Sequence, residues 1–333
     1  MTSEKSLIRM YAAKILDSQI EYLNNQLTGI ELDGSSEFIH HTRVMSRRIR
    51  NTVEVFPDYL GKKTAKKWFV ALKNLTKSLT KIRDIDVQIL FLENELVKIV
   101  NQNQIQGVNR ILLRKKQKKS SFDQKVLKNI EIFNKTGTMA EIRGFIEKNQ
   151  FQAEVFLPTS NLSKIAIETI EVHLKNCFSF VPYITNPNNV KELHNLRIAF
   201  KNLRYSVELF YDLYPSLKEY LIALKSIQDE LGKIHDCDIW LVDLEIFQAK
   251  ELDRINKFYG QSGPYNFIKP GIDFLEEEIT NTRKSTYELF LTHWNEYFQD
   301  QFWSRLRDQF TEFPPFEKNQ EISTDLPDSK TQD

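Results

Sequence analysis

Two segments of the sequence each place a histidine and three Lys or Arg residues three or four positions apart. On a helix that turns about 100° per residue, each set falls within an arc of about 80°. We name the sets the first stripe (His40, Arg43, Arg47 and Arg50) and the second stripe (His194, Arg197, Lys201 and Arg204). Like charges this close repel one another, and an anion relieves that repulsion. Because arginine presents a planar fork that suits phosphate oxygens, the pattern predicts two helix faces that hold phosphate oxyanions.

The residues between the basic ones predict how these helices are held. Opposite the first stripe lie Phe38, Met45, Ile49, Val53 and Phe56, and opposite the second lie Leu196, Ala199, Phe200, Leu203, Val207 and Phe210. One apolar and one basic side are typical of an amphipathic helix that packs against a core. Glu54 and Glu208 each follow the last arginine of a stripe by four residues, where an ion pair can form.

The stripes belong to an internal repeat. His40–Phe56 and His194–Phe210 are identical at 6 of 17 positions, at an offset of 154 residues. Ala71–Val87 and Ala223–Ile239 are identical at 8 of 17 positions, at an offset of 152. Two blocks in the same order and at nearly the same offset indicate a duplicated unit of about 150 residues.

Composition and periodicity predict an all-α fold. Apolar residues recur at three- and four-residue spacing nearly throughout, and only 10 Gly and 10 Pro occur in 333 residues. Breaks such as Gly29–Ser36 and Pro57–Lys62 predict about eight helical segments, four in each copy. We predict one helical bundle over 1–157, a second over 158–313, and a disordered polar tail over 314–333.

The helix after each stripe adds further charged side chains. Lys66, Lys73, Lys77 and Asp84 project to one side in the first copy, and Lys218, Lys225, Asp229 and Asp236 match them in the second. Asp84 and Asp236 are better placed to orient arginines than to bind an anion. A later basic face carries Arg110, Arg114, Lys118 and Lys125, from which Arg114 is a further candidate.

Bulk charge does not identify a partner, but its distribution favours an anionic ligand. The net charge is +1, whereas 12 Lys/Arg stand against 5 Asp/Glu over 37–86 and 8 against 1 over 110–128. Two cysteines outside any CxxC spacing predict a reducing compartment without disulfides. A polar N-terminus and the absence of long apolar runs predict a cytoplasmic protein that does not enter a membrane.

The combined motifs resemble both halves of the CHAD domain (conserved histidine α-helical domain), over roughly residues 5–312. In the first half the motifs are His40-x-x-Arg43-Val44-x-x-Arg47-Arg48-x-Arg50 and Lys81-Ile82-Arg83-Asp84-Ile85-Asp86-Val87. In the second half they are Leu193-His194-x-Leu196-Arg197-Ile198-x-x-Lys201-x-Leu203-Arg204-Tyr205 and Leu231-Gly232-Lys233-Ile234-His235-Asp236. Asn202 stands where Arg48 occurs in the first half, which predicts weaker binding by the second, and Thr80 stands where the second half has Gly232.

The resemblance implies two four-helix bundles related by pseudo-twofold symmetry, with a basic groove between them. It also implies binding of inorganic polyphosphate without catalysis, without a cofactor, and in association with polyphosphate granules. The anion-binding residues would be His40, Arg43, Arg47, Arg50 and Lys73 in one half, and His194, Arg197, Lys201, Arg204 and Lys225 in the other.

Three alternatives stay open at the level of sequence. A metal-dependent phosphohydrolase would need clustered carboxylates or a nucleophile near the stripes, and none occurs at convincing spacing. A module for nucleic acid is disfavoured because the aromatic residues fall at core spacing and do not interleave with the basic ones. Binding of another phosphorylated ligand, such as a phosphoprotein, would use the same stripes. No metal site is predicted, because the neighbours of His40 and His194 are cationic.

Overall fold

The computed structural model describes residues 3–33, 35–149, 158–299 and 301–310, and within these ranges the chain is helical without strands. The α-helices are α1 (Glu4–Leu32), α2 (Ser36–Val55), α3 (Pro57–Leu60), α4 (Lys62–Lys98), α5 (Gln102–Ser120), α6 (Asp123–Asn134), α7 (Thr138–Lys148), α8 (Ser160–Phe178), α9 (Val190–Glu208), α10 (Lys218–Tyr259), α11 (Lys269–Gln299) and α12 (Phe302–Leu306). Short 3-10 turns occur at Val181–Tyr183, Pro215–Leu217, Gly263–Phe267 and Asp308–Phe310. The all-α prediction is confirmed. None of the described helices is long and apolar enough to cross a membrane.

The chain forms two compact units, and each unit draws on two segments. The first unit comprises Met1–Val155 with Ile239–Thr282, and the second comprises Phe156–Asp238 with Arg283–Asp333. The units therefore differ from the two contiguous halves predicted from sequence, because α10 and α11 are long and contribute to both. Residue 157, where the first half was predicted to end, and the tail predicted over 314–333 lie outside the described residues. The predicted duplication into two four-helix bundles stays a prediction.

In the first unit, α2 packs against α1 and α4 through the apolar face seen in the sequence. Ile49, Val53 and Phe56 are almost fully buried. The backbone N–H of Phe56 donates to the carbonyl of Thr52, and the following proline ends the helix. Burial of these side chains fixes the rotation of α2, so the first stripe must project on the other side.

In the second unit, α9 is held in the same way, and it packs against α8. Leu196, Phe200 and Leu203 are fully buried, and Phe200 makes edge-to-face contacts with Trp294 and Trp303. Thr159 caps the start of α8, because its hydroxyl accepts a hydrogen bond from the backbone N–H of Leu162. The repeat blocks thus occupy α2 and α4 in one unit and α9 and α10 in the other.

Helix boundaries differ from the predicted breaks at particular residues. Helix α1 continues through Gly29 to Leu32, and Gly29 serves close packing: a Cβ there would lie 2.4 Å from the ring of Phe38. Conversely, helices end at Ile99–Asn101 and Ser121–Phe122 without a glycine or proline. The side chain of Asn101 accepts a hydrogen bond from the backbone N–H of Asn103 and so caps the start of α5. A search for breaks at Gly and Pro alone does not detect this kind of polar capping residue.

Two glycines allow α5 and the start of α11 to touch through their backbones within the first unit. A Cβ on Gly107 would lie 2.1 Å from the carbonyl oxygen of Ile268, and a Cβ on Gly271 would lie 2.0 Å from that of Gln104. No side-chain rearrangement relieves a clash with backbone, so both helices would have to separate. This crossing holds Ile239–Thr282 to the rest of the first unit.

We expect Gly107→Ala and Gly271→Ala each to lower the free energy of unfolding by about 1–3 kcal/mol or more, since overpacking displaces both helices. Gly144→Ala is the matched control: Gly144 lies inside α7 with open space around it, so alanine there should raise the free energy of unfolding by up to about 1 kcal/mol. Urea unfolding followed by circular dichroism measures all three. Equal stability of the Gly107 and Gly144 variants would contradict the close crossing.

Candidate functional site

The first stripe lies on the partly exposed side of α2. His40, Arg43, Arg47 and Arg50 are all neither fully buried nor freely exposed. The Arg43 side chain is 12% exposed, so its charge lies close to low-dielectric surroundings and interacts more strongly than a fully solvated one would. The structure thus confirms that the four side chains share one accessible side of one helix.

Helix α4 runs antiparallel beside α2 and carries an acid to the arginines. Arg43 Nη1 lies 4.0 Å from Asp84 Oδ1, at the outer limit of an ion pair. Partial burial raises the pKa of Asp84, while the charges of Arg43, Arg47 and Arg83 act in the opposite direction. Asp84 therefore lies among three arginines and can orient them, as the sequence pattern predicts.

The other end of the first stripe meets the beginning of α4. Burial raises the pKa of Glu54, and the charges of Arg50 and Lys73 oppose that rise, so both cations lie close to this carboxylate. The Arg50 guanidinium also stacks over the ring of Phe69, 5.5 Å from its centroid. Lys73, which lies on a different helix from the stripe, is therefore brought to the stripe's C-terminal end.

The second stripe has an equivalent setting between α9 and α10. The Arg197 guanidinium lies over Gly232, where a Cβ would be 3.5 Å from Nε. Arg204 is 13% exposed, with Nε 3.4 Å from Glu208 Oε1 and its guanidinium over the ring of Tyr205. Seven residues separate Arg197 from Arg204, and seven separate Gly232 from Lys225. In an antiparallel pair this equal spacing brings Lys225 level with Arg204.

A pair of imidazoles occupies the beginning of the second stripe. His194 Nδ1 and His235 Nδ1 are 3.1 Å apart, and the rings are 4.1 Å apart between centroids. Such a bond needs one N–H and one lone pair, so it forms only while at least one ring is neutral. Burial, the neighbouring ring, Arg197 and Lys201 lower the pKa of His235 to about 4. Burial, Arg197 and Lys201 also lower the pKa of His194, so both rings are neutral at pH 7.

Comparison with known proteins identifies the family of the chain. The CHAD domain family model matches residues 14–244, more than half of the chain and both stripes. The chain belongs to the CHAD domain family. Among solved structures, it is similar to the crystal structure of the CHAD domain from the plant Ricinus communis, with 16% identity over 92% of each chain and a TM-score of 0.53, which shows a common fold. No curated protein sequence matches the chain.

Two residues of this CHAD domain site were missed in the sequence. His235 is not among the anion-binding residues predicted from the sequence, yet its ring pairs with His194. Its counterpart at the repeat offset of 152 is Arg83, which lies beside Asp84. Both residues immediately precede the aspartate of their copy, so a repeat position that is basic in both copies was the signal available in the sequence.

Arg114 is placed differently from the other candidates. Its guanidinium donates from Nε and Nη2 to the two carboxylate oxygens of Glu251, at 3.2 Å each, and from Nη1 to Gln117. Arg110 and Arg254 bind the same carboxylate, which is fully buried. Burial would raise the pKa of Glu251, but hydrogen bonds from Arg114, Arg254 and Arg110 outweigh it, and the pKa is lowered. Arg114 thus stabilises the attachment of α10 to α5 within the first unit.

Three of the lysines that follow Arg114 also form ion pairs. Lys115 Nζ lies 3.0 Å from Asp243 Oδ2 and over the ring of Trp240, and burial lowers its pKa. Lys116 pairs with Glu93, and Lys119 pairs with the buried Asp86. Much of the positive charge counted over 110–128 is therefore neutralised by acids from α4 and α10. Within the described ranges, no three His, Cys, Asp or Glu side chains converge as a metal ion would need.

The imidazole pair predicts a specific pH dependence. We expect the His235 ring to titrate near pH 4, well below the ordinary value of about 6.5. The unfolded chain binds a proton at His235 more readily than the folded chain does. The contribution of the neutral ring to the free energy of unfolding is therefore fully present above pH 6.5 and is lost as the pH decreases toward 4. Between pH 7 and pH 4.5 the free energy of unfolding should fall by roughly 2 kcal/mol more in the wild type than in His235→Gln.

Proton NMR of the imidazole resonances gives the titration directly, and urea unfolding at the two pH values gives the stability difference. A His235 resonance that titrates near pH 6.5 would contradict the paired geometry.

Substitution of Arg114 can distinguish a structural role of this residue from a role in ligand binding. Arg114→Gln should lower the free energy of unfolding by about 1 kcal/mol, since Glu251 keeps two arginines. Glu245→Gln, on the exposed side of α10, is the control and should change stability little. Full stability together with weakened binding of phosphate chains would instead support the role predicted for Arg114 from sequence.

Proposed function

We propose that this CHAD domain protein binds inorganic polyphosphate without catalysing its turnover. The observation that carries the proposal is a repeated one: α2 and α9 each align a histidine and three Lys or Arg residues on one accessible side. In both units the neighbouring helix adds a lysine, Lys73 or Lys225, at the end of the stripe. A single anion would satisfy one or two of these cations, whereas a chain of phosphates can contact the whole row.

The proposed interaction is charge-assisted hydrogen bonding to consecutive phosphates. From the histidine to the last arginine each stripe spans ten residues, or about 15 Å of helix. Its side chains are partly buried before any ligand binds, so ordering them costs little conformational entropy. Because Arg43 and Arg204 are little exposed, the electrostatic attraction of each guanidinium for a phosphate is also stronger than it would be in bulk water. Rigid arginines in a row thus favour a flexible polyanion over a single phosphate.

The two units should not contribute equally. Where the first unit has Arg48 and Arg83, the second has Asn202 and His235. The lowered pKa values of His194 and His235 leave both rings neutral at pH 7, so the second stripe offers fewer positive charges. The first unit is therefore proposed as the stronger binder at neutral pH, and bound phosphates should favour protonation of the imidazole pair.

A cytoplasmic location accords with this proposal. Cys177 and Cys237 are both free and buried, and burial raises the pKa of Cys177 to about 12 and of Cys237 to about 11. Such thiols are unreactive and suit a reducing compartment. Association with polyphosphate granules is part of the proposal and would be tested by imaging a fluorescent fusion protein in cells that accumulate polyphosphate.

Replacement of one arginine in each stripe tests the binding site. We expect Arg43→Gln and Arg197→Gln each to weaken polyphosphate binding by about tenfold, and the double variant by about a hundredfold, because each loses a hydrogen bond between charged groups. Wild-type affinity should also decrease steeply with salt, as counterion release requires. Calorimetric titration with long-chain polyphosphate at two salt concentrations measures both effects.

The control is Arg143→Gln with Arg305→Gln, which removes the same charge from exposed positions on α7 and α12. If the control weakens binding as much as the stripe variant, attraction is only general and the stripe assignment is wrong. Single-stranded RNA that competes equally with polyphosphate would favour a nucleic-acid module. Release of phosphate in the presence of Mg²⁺ or Mn²⁺ would favour a phosphohydrolase.

A further inference from the structure

A second basic feature of the first unit lies between α4 and α6. An open cleft of about 340 Å³ between α4 and α6 is lined by three lysines, two asparagines, one serine and three apolar residues. The lysines are Lys77, Lys81 and Lys125. Ile82 and Val126 are buried and form the floor, so the ammonium groups stand at the rim. The cleft therefore presents cations above an apolar base.

These three lysines differ from those lysines of the first unit that form ion pairs. Many lysines there pair with a carboxylate: Lys67 with Glu141, Lys98 with Glu95, Lys115 with Asp243, Lys116 with Glu93 and Lys119 with Asp86. None of the described carboxylates pairs with Lys77, Lys81 or Lys125. Three exposed ammonium groups that line one cleft repel one another, and an anion would relieve that repulsion.

The geometry of α4 connects this cleft with the first stripe. Lys73, Lys77 and Lys81 are spaced four residues apart, so they advance about 6 Å along the helix and turn about 40° at each step. Lys73 lies beside Arg50 and Glu54, at the end of the stripe. Lys77 and Lys81 follow it along α4 and line the cleft, together with Lys125 from α6. The row of lysines thus leads from the end of the stripe, where Glu54 lies, to the cleft.

The hydrogen bonds around the cleft leave the cations as its main donors. The Ser78 hydroxyl donates to the carbonyl of Leu75, so its hydrogen is not available to a ligand. Asn74 and Asn129 add amide groups at the edge. A ligand held mainly by separated ammonium groups, each a rotatable point charge, must bring several negative charges along its length. A chain of phosphates has this property.

We propose that the cleft between α4 and α6 extends the binding site of the first unit, so that a polyphosphate chain held by the first stripe continues over Lys77 and Lys81 to Lys125. This inference rests on the proposed function. The extension is specific to the first unit, because Asp229 occupies the position of Lys77 in the second copy and would repel the chain there. The first unit therefore discriminates chain length: a short chain is held by the stripe alone, and a long one occupies the cleft as well.

The test compares two ligands, tripolyphosphate and long-chain polyphosphate, by calorimetric titration of the full chain. Lys77→Gln with Lys81→Gln should weaken binding of the long chain by about tenfold and make its salt dependence shallower by about 1.5 in logarithmic slope. Binding of tripolyphosphate should not change. Lys77→Arg with Lys81→Arg should keep the wild-type affinity for the long chain, because the charge remains. Lys148→Gln with Lys175→Gln removes the same charge from exposed positions on α7 and α8 and is the control.

A second readout is independent of affinity: long-chain polyphosphate should protect Lys77, Lys81 and Lys125 from acetylation, measured by mass spectrometry, while Lys148 and Lys175 stay reactive. The extension is overturned if the glutamine variant matches the control with the long chain. It is also overturned if both ligands lose affinity equally, since the lysines would then belong to the stripe itself. Failure of the wild type to bind either ligand, or of Arg43→Gln with Arg197→Gln to weaken binding, would instead refute the proposed function.

Discussion

The constraint on which the site depends is the rotation of α2 and α9 about their own axes. Each helix buries a continuous apolar face, formed around Ile49 and Val53 in one unit and around Leu196 and Phe200 in the other. Because this burial provides most of the stabilisation of a surface helix, it determines where every other side chain points. The basic stripes are therefore held together by packing on the opposite side, at a cost in charge repulsion that the core outweighs.

The acids near the stripes have separate tasks that depend on their position. Asp84 contacts the first stripe near its beginning, while Glu54 and Glu208 follow the last arginine of each stripe. Glu251, in contrast, collects three arginines in a buried cluster away from α2 and joins α10 to α5. Arginine thus supports the fold where it is paired bidentately. Along the first stripe, Arg43 Nη1 lies 4.0 Å from Asp84 Oδ1, at the outer limit of an ion pair.

Helical periodicity and the repeat were sufficient to predict the helical class and the stripes, since both features are local or rest on comparison of the chain with itself. The features that could not be predicted are contacts between distant segments. The attachment of Arg114 to Glu251 joins residues 137 apart, and His194 meets His235 across 41 residues. Nor does periodicity show that Gly107 and Gly271 bring two backbones together, because the reason for each glycine lies in the other helix.

Because α10 and α11 each contribute residues to both units, the chain cannot be divided into two fragments at the boundary of the repeat. A fragment that ends near residue 157 carries the whole first stripe, yet it lacks Ile239–Thr282, which supplies Glu251 and Gly271 to the first unit. The remaining fragment would in turn carry that segment without its packing partners. Mixed together, the two fragments could complement each other only if Ile239–Thr282 of the second fragment packed on the first. The repeat in the sequence and the folding unit are thus different divisions of the same chain.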